Sequence, residues 1–133
     1  MGVSEPSQPS LSPSEIHRRL VELVLAGRLE EAIQIIAPDA IDHLGGRVGD
    51  RPGRAAWLEK WKTMATPETM AIEQNVATGE YSVNRYRICG RDPRSGRPYE
   101  TIGMDMVRIR NGQVVEHWAF MDGEAMRASI ERD

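Results

Sequence analysis

The sequence predicts an α+β fold, with helices packed on one face of a curved, mainly antiparallel sheet. Two observations lead there. Up to about residue 64, apolar residues recur mostly at helical spacing; from Glu68 onward, period-2 runs joined by turn dipeptides take over. The clearest turn is Asn111-Gly112, which joins Tyr99–Arg110 to Gln113–Met121. An Asn-Gly pair between two alternating runs is the strongest short-range hairpin signal.

The elements follow in chain order. Ser12-Pro13-Ser14-Glu15 opens a helix: Ser12 can cap the free backbone N–H groups, Pro13 suits the first helical position, and Glu15 completes a capping box. Ile16, Leu20, Leu23 and Val24 form its apolar stripe, Gly27 offers a left-handed stop, and His17 is expected on the solvated side. A short second helix carries Leu29, Ala32, Ile33 and Ile36, and Pro38 ends it. Ala40–Leu44 reads as a strand broken by Gly45-Gly46, with Asp42 and His43 adjacent so that only one of them can face inward. A helix from about Asp50 to Met64 brings Trp57, Trp61 and Met64 onto one face. Glu68–Thr78 and Glu80–Gly90 form one hairpin, Arg91–Pro98 is a loop, and a last helix spans Gly123–Ile130.

Composition narrows the function. At 133 residues the chain matches about one domain: a Ser/Pro-rich tail over 1–11, too poor in apolar groups to fold alone, and a single domain over 12–133. Seventeen Lys and Arg against twenty Asp and Glu give a net charge of −3, and the basic residues are dispersed, so no nucleic-acid footprint is expected. No apolar run approaches the ~20 residues of a membrane helix, and no secretory signal is visible; a soluble, cytoplasmic protein is expected. Cys89 stands alone, which excludes an intrachain disulfide, and its apolar neighbour Ile88 favours a buried structural thiol. Glycine-rich phosphate loops are missing, and His17, His43 and His117 are too scattered for a zinc set, so neither cofactor nor metal is expected.

What remains is acid/base chemistry. Unbroken alternation puts Val114, Glu116, Trp118 and Phe120 on one face of the last strand, with Asp122 continuing that parity. Asp105 shares a face of the preceding strand with Thr101, Gly103, Val107 and Ile109. The expected pocket between sheet and helices is lined by Trp57, Trp61, Met64, Met104 or Met106, Trp118 and Phe120. A carboxylate beside Trp118 would be partly desolvated, which raises its pKa and makes it a better base. Acids at strand ends are mostly exposed, so a solvated rim is the competing reading. The opposite face, with Val115, His117, Ala119 and Met121, is too apolar for full exposure and is expected to meet a second copy in a homodimer.

The order of helices, Asp39 to His43, a Trp-bearing helix, long hairpins and the stretch VRIRNGQVVEHWAFMD resembles the SnoaL-like polyketide cyclase family of the nuclear-transport-factor-2-like superfamily. The likeness covers about residues 14–131 and is strongest over Met104–Asp122. It implies a cone-shaped α+β barrel, a homodimer through the outer sheet face, and cofactor-free acid/base chemistry in the cavity on a polyketide- or terpenoid-like molecule. Asp122 matches the family's catalytic acid after Glu-His-Trp, His43 a cavity histidine of the first strand, and Asp105 a polar position on the penultimate strand. Related limonene-epoxide-hydrolase-type members hold an arginine between two acids through Arg-x-Asp; here that strand reads Gly103-Met104-Asp105, so the motif is lost, although an arginine could still arrive from Arg85 or Arg87 on the preceding strand. Epoxide opening is therefore the second expectation, and a non-catalytic binding or dimerisation module the third.

Overall fold

The computed structural model describes residues 11–43, 51–63 and 67–131. The 1–10 portion of the expected tail, Met64 and the Gly45-Gly46 break lie outside the described residues. Among the described residues, four helices and six strands follow in the order α1 (Pro13–Leu25), α2 (Leu29–Gln34), β1 (Ile36–His43), β2 (Arg51–Pro52), α3 (Arg54–Thr63), β3 (Thr69–Thr78), β4 (Tyr81–Arg91), β5 (Pro98–Arg110), β6 (Gln113–Met121) and α4 (Gly123–Glu131).

Local chemistry explains the element ends. Ser12 Oγ accepts from Glu15 N, and the Glu15 carboxylate accepts from Ser12 N, so the capping box is formed with Pro13 in the first turn. Asn111 and Gly112 both take positive φ (54° and 74°), the backbone that a two-residue hairpin needs and that Asn and Gly tolerate. Pro38 lies inside β1, where the pairing to β6 is irregular between Ile36 and Ile41, as its missing N–H requires.

The six strands lie in the order β2-β1-β6-β5-β4-β3. β3, β4, β5 and β6 pair antiparallel, but β1 runs parallel to β6, so the sheet is mixed. The expected cone-shaped barrel is corrected: the sheet is open and not strongly curled, with β2 and β3 at its two edges. Closure would need those edges to pair, and β2 offers only two residues to do so.

The helices cover one face. The main core joins Ile16, Leu20 and Leu23 of α1, Ala32 and Ile33 of α2, Trp57 of α3 and Ile36, Val107, Ile109 and Val114 of the sheet. Each large side chain buried there contributes roughly 1.5–3 kcal/mol. A second cluster, Tyr86, Ile88 and Tyr99, is covered by Val21 of α1 and by Met126 and Ile130 of α4.

Candidate active site

Between the two clusters the inner face turns polar. On β4, Ser82, Asn84 and Tyr86 point inward and are buried; on β5, Thr101 and Asp105 follow the same period-2 rule. Asp105 is the hub. Its Oδ1 accepts from Tyr86 O–H (2.6 Å) and His17 Nε2 (2.8 Å), and its Oδ2 from His117 Nε2 (3.0 Å). His117 Nδ1 reaches Asp42 Oδ1 on β1 at 2.8 Å. His17 Nδ1 meets Ser82 Oγ at 2.8 Å, Asn75 Nδ2 donates to that oxygen (2.9 Å), and Asn84 Nδ2 donates to Tyr86 Oη (2.9 Å). A continuous hydrogen-bonded chain thus runs across the sheet under α1 and α3, with Trp57 against the His117 ring at 5.2 Å.

The electrostatics follow from that wiring. Burial pushes the Asp105 carboxyl upward, but hydrogen bonds and charge from His117 and His17 outweigh it and hold it well below the usual carboxylate range. Burial pulls the His117 ring down, yet Asp105 and Asp42 raise it above an ordinary histidine. Desolvation and the nearby Asp105 charge push the Tyr86 phenol up, so it stays a neutral donor.

The expected site residues separate. Asp105 and Trp57 come together at the hub, where Trp57 is part of the buried core, 2% exposed. Trp61 packs edge-on to Trp57 (6.1 Å) at the margin of the core. Trp118 and Phe120 lie on the other face of the sheet: Trp118 stacks on His43 (4.7 Å), and Phe120 is 64% exposed beside Met104. His43 points outward too, where its Nε2 meets Glu116 Oε2 at 2.8 Å and Arg108 closes on the other oxygen. Arg85 and Arg87 pair with Glu73 and Glu100, both exposed, and bring no guanidinium inward. Asp122 is exposed at the end of β6; its carboxylate accepts from Ala125 N and its carbonyl from Met126 N and Thr101 Oγ1, which caps α4.

One bulge accounts for the inverted face of β6. Ile109 pairs with Val114, but Arg108 pairs with Glu116, leaving Val115 as a surplus residue. Without it, Asp105 would oppose Trp118; with it, Val107 opposes His117 and Asp105 opposes Ala119. His17 was misplaced for a simpler reason. It sits three residues before Leu20 and seven before Val24, within the apolar stripe, a spacing that marks it as inward-facing.

Among the described residues no group of three or more His, Cys, Asp or Glu is arranged to hold a metal ion, and no helix is long and apolar enough to cross a membrane. Among the described residues, two surface concavities lie outside the hub: a groove of about 520 Å³ on the outer face by Ile41, Arg108 and Glu116, and a shallower one of about 280 Å³ by Ile102, Met104 and Phe120.

The profile of the SnoaL-like domain matches residues 17–117. Among solved structures, IdmH from Streptomyces antibioticus, provisionally assigned as a polyketide cyclase, is 33% identical with a TM-score of 0.79, covering 92% of this chain and 100% of that one. A loop-truncation variant of IdmH is 36% identical, with a TM-score of 0.75 over 89% and 98% of the two chains. A SnoaL-like protein from Jannaschia sp. CCS1, also provisionally assigned as a polyketide cyclase, shares the fold at 16% identity (TM-score 0.79, over 98% and 99%). None of the curated proteins matches the chain.

Proposed function

This chain belongs to the SnoaL-like domain family, and on that premise we propose that it is a cofactor-independent acid/base enzyme acting on an apolar, polyketide- or terpenoid-like molecule by aldol-type cyclisation or isomerisation. The observation that carries the reading is the Asp105 carboxylate, buried and held by three donors from α1, β4 and β6. In that resting state Asp105 is a weak base. A substrate carbonyl that draws the Tyr86 O–H or the His17 N–H to itself removes a donor from the carboxylate. That raises the basicity of Asp105 while placing a donor on the oxygen where negative charge develops. Asp105 then takes the α-proton, and the enolate carbon attacks a second carbonyl or is reprotonated elsewhere.

Asp122 enters this reading as a helix cap rather than as the base. Turnover of cyclisable polyketide-like ketones by wild type, Asp105→Asn and Asp122→Asn tests it. Loss only in Asp105→Asn supports the reading, and loss only in Asp122→Asn returns the chemistry to Asp122. Saturable binding without conversion in every variant favours the non-catalytic module.

Epoxide opening is kept as the second reading by one observation. His117 lies between Asp42 and Asp105, at 2.8 and 3.0 Å, a cation site between two acids. Hydration of a terpenoid epoxide with no action on ketones would select it.

We also infer a homodimer, through the face opposite to the helices. The side chains offered there are Ile102, Met104 and Phe120, each at least 43% exposed, rather than the His117 set. A light-scattering mass near 14.9 kDa, that of one chain, would overturn this.

A further inference from the structure

The two histidines on Asp105 differ in what their second ring nitrogen faces. His17 Nδ1 meets a hydroxyl, Ser82 Oγ, which receives the Asn75 amide and has its own proton to give. A hydroxyl can give or accept, so that contact does not require a charge on the His17 ring. His117 has no such partner. Its Nε2 faces Asp105 Oδ2 and its Nδ1 faces Asp42 Oδ1, and a carboxylate only accepts.

We propose that Asp42 is a positioning residue: through Nδ1 it keeps the His117 ring doubly protonated, so that His117 serves the Asp105 centre as its fixed cation and proton donor. The register makes the contact systematic, because Asp42 and His117 are paired residues of the parallel β1–β6 ladder. Asp42 is 2% exposed, so its carboxylate needs hydrogen-bond partners, and His117 Nδ1 is one of them at 2.8 Å. Among the described side chains, those that touch the ring favour its charge. β1 supplies Asp42 and β5 supplies Asp105. α3 lays the Trp57 indole 5.2 Å from the imidazole, and an indole attracts a cation. β4 and α1 contribute Tyr86 and His17, which bond the far oxygen of Asp105 rather than the His117 ring. The neighbour His43 faces the opposite side of the sheet and is paired with Glu116.

The catalytic consequence rests on the acid/base reading above. Asp105 takes the α-proton, His117 gives its Nε2 proton to the product alkoxide, and the proton on Asp105 passes to Nε2. The cycle closes with no other reactant, and the Nδ1 proton stays on the ring, facing Asp42, throughout.

Nitrogen-15 and carbon-13 NMR of the histidine rings tests the arrangement without a substrate. In wild type, His117 is expected to show two protonated nitrogens at pH 7.5 and a low-field Nδ1 proton slow to exchange with water. A single neutral tautomer at that pH would overturn the proposal. Asp42→Asn keeps an acceptor but removes the charge; the His117 ring should then lose its proton at a pH at least about one unit lower, a tenfold change in its ionisation ratio. An unchanged titration refutes the role of Asp42. If Asp42→Asn does not fold, the wild-type Nδ1 proton still decides, since its absence refutes the contact. An imidazolium found in a protein that turns over nothing would leave the wiring intact and remove the enzyme reading, so the two fail separately. Where turnover exists, the alkaline limb of its pH profile should move with the ring in Asp42→Asn, which a purely structural role would not cause.

Discussion

Neighbouring residues of β6 carry two histidine–carboxylate pairs with nearly the same bond lengths and opposite surroundings. On the outer face Glu116 meets His43 at 2.8 Å, both side chains 22% exposed, with Arg108 sharing the carboxylate. On the inner face His117 meets Asp42 at 2.8 Å and Asp105 at 3.0 Å, with side-chain exposures of 11%, 3% and 16%. Distance does not distinguish them. What differs is how much water is left to replace a lost partner. A partly exposed pair is worth little, because solvent screens both charges and takes over when one is removed. A buried one is costly to break, because the remaining charge has nowhere to go. The same contact is trim on one side of the sheet and a requirement on the other.

The contrast can be broken most sharply at Asp105. Asp105→Ala leaves His117 and Tyr86 facing an empty acceptor site, and should lower stability by about 3–5 kcal/mol in urea unfolding. Asp105→Asn keeps the shape but not the charge, and should reduce any turnover by roughly 10²–10⁴-fold, the usual contribution of a general acid or base. A small effect of both would place the inner pair in the same class as the outer one.

Stability against pH sharpens it next. The Asp105 pKa is depressed in the fold, so its stabilising contribution is full above the ordinary carboxylate value of 3.8 and is lost as pH falls through the depressed folded value. The His117 pKa is raised, so its contribution is full below the ordinary value of 6.5 and is lost as pH rises through the folded value. A plateau is therefore expected between about 4 and 6.5, with a decline on the alkaline side that Asp42→Asn and His117→Gln both flatten. Melting curves from pH 4 to 9 check it; a decline unchanged in both variants would assign it elsewhere.

Smaller effects belong to the cap and the outer face. Asp122→Ala removes the acceptor for Ala125 N and should cost about 1 kcal/mol, whereas Asp122→Asn, an equally good cap, should be nearly silent in stability. Least of all, Glu116→Gln should change stability by no more than about 1 kcal/mol, and added salt should reduce even that. A Glu116→Gln loss as large as that of Asp105→Ala would erase the distinction between the faces.

Much of this was legible from the sequence. The capping box at Ser12, the Asn111-Gly112 hairpin and the bounds of β6 are local chemistry, and local chemistry is written in consecutive residues. The SnoaL-like likeness was legible over Met104–Asp122, and the period-2 pattern put Asp105 on one face with Thr101, Val107 and Ile109, which the structure buries. Two kinds of information were not there. The parallel pairing of β1 with β6, and hence the open mixed sheet, depends on contacts between residues 75 or more positions apart. The face of each residue beyond Val115 depends on a bulge that no residue type announces, so Trp118 and Phe120 were expected where His117 stands.

That bulge also sets the strand's tolerance for change in length. Val115 fixes the phase of everything from Glu116 to Met121, because a shift of one residue exchanges the two faces of a strand. A point substitution at Val115 alters one contact. Deleting it would carry an imidazole into solvent and an indole into the polar centre in a single step, and an insertion beside it would do the same. β6 is therefore a stretch in which sequence can drift by substitution but not by one-residue gaps, while the Asp92–Arg97 loop that leads into β5 carries no such frame.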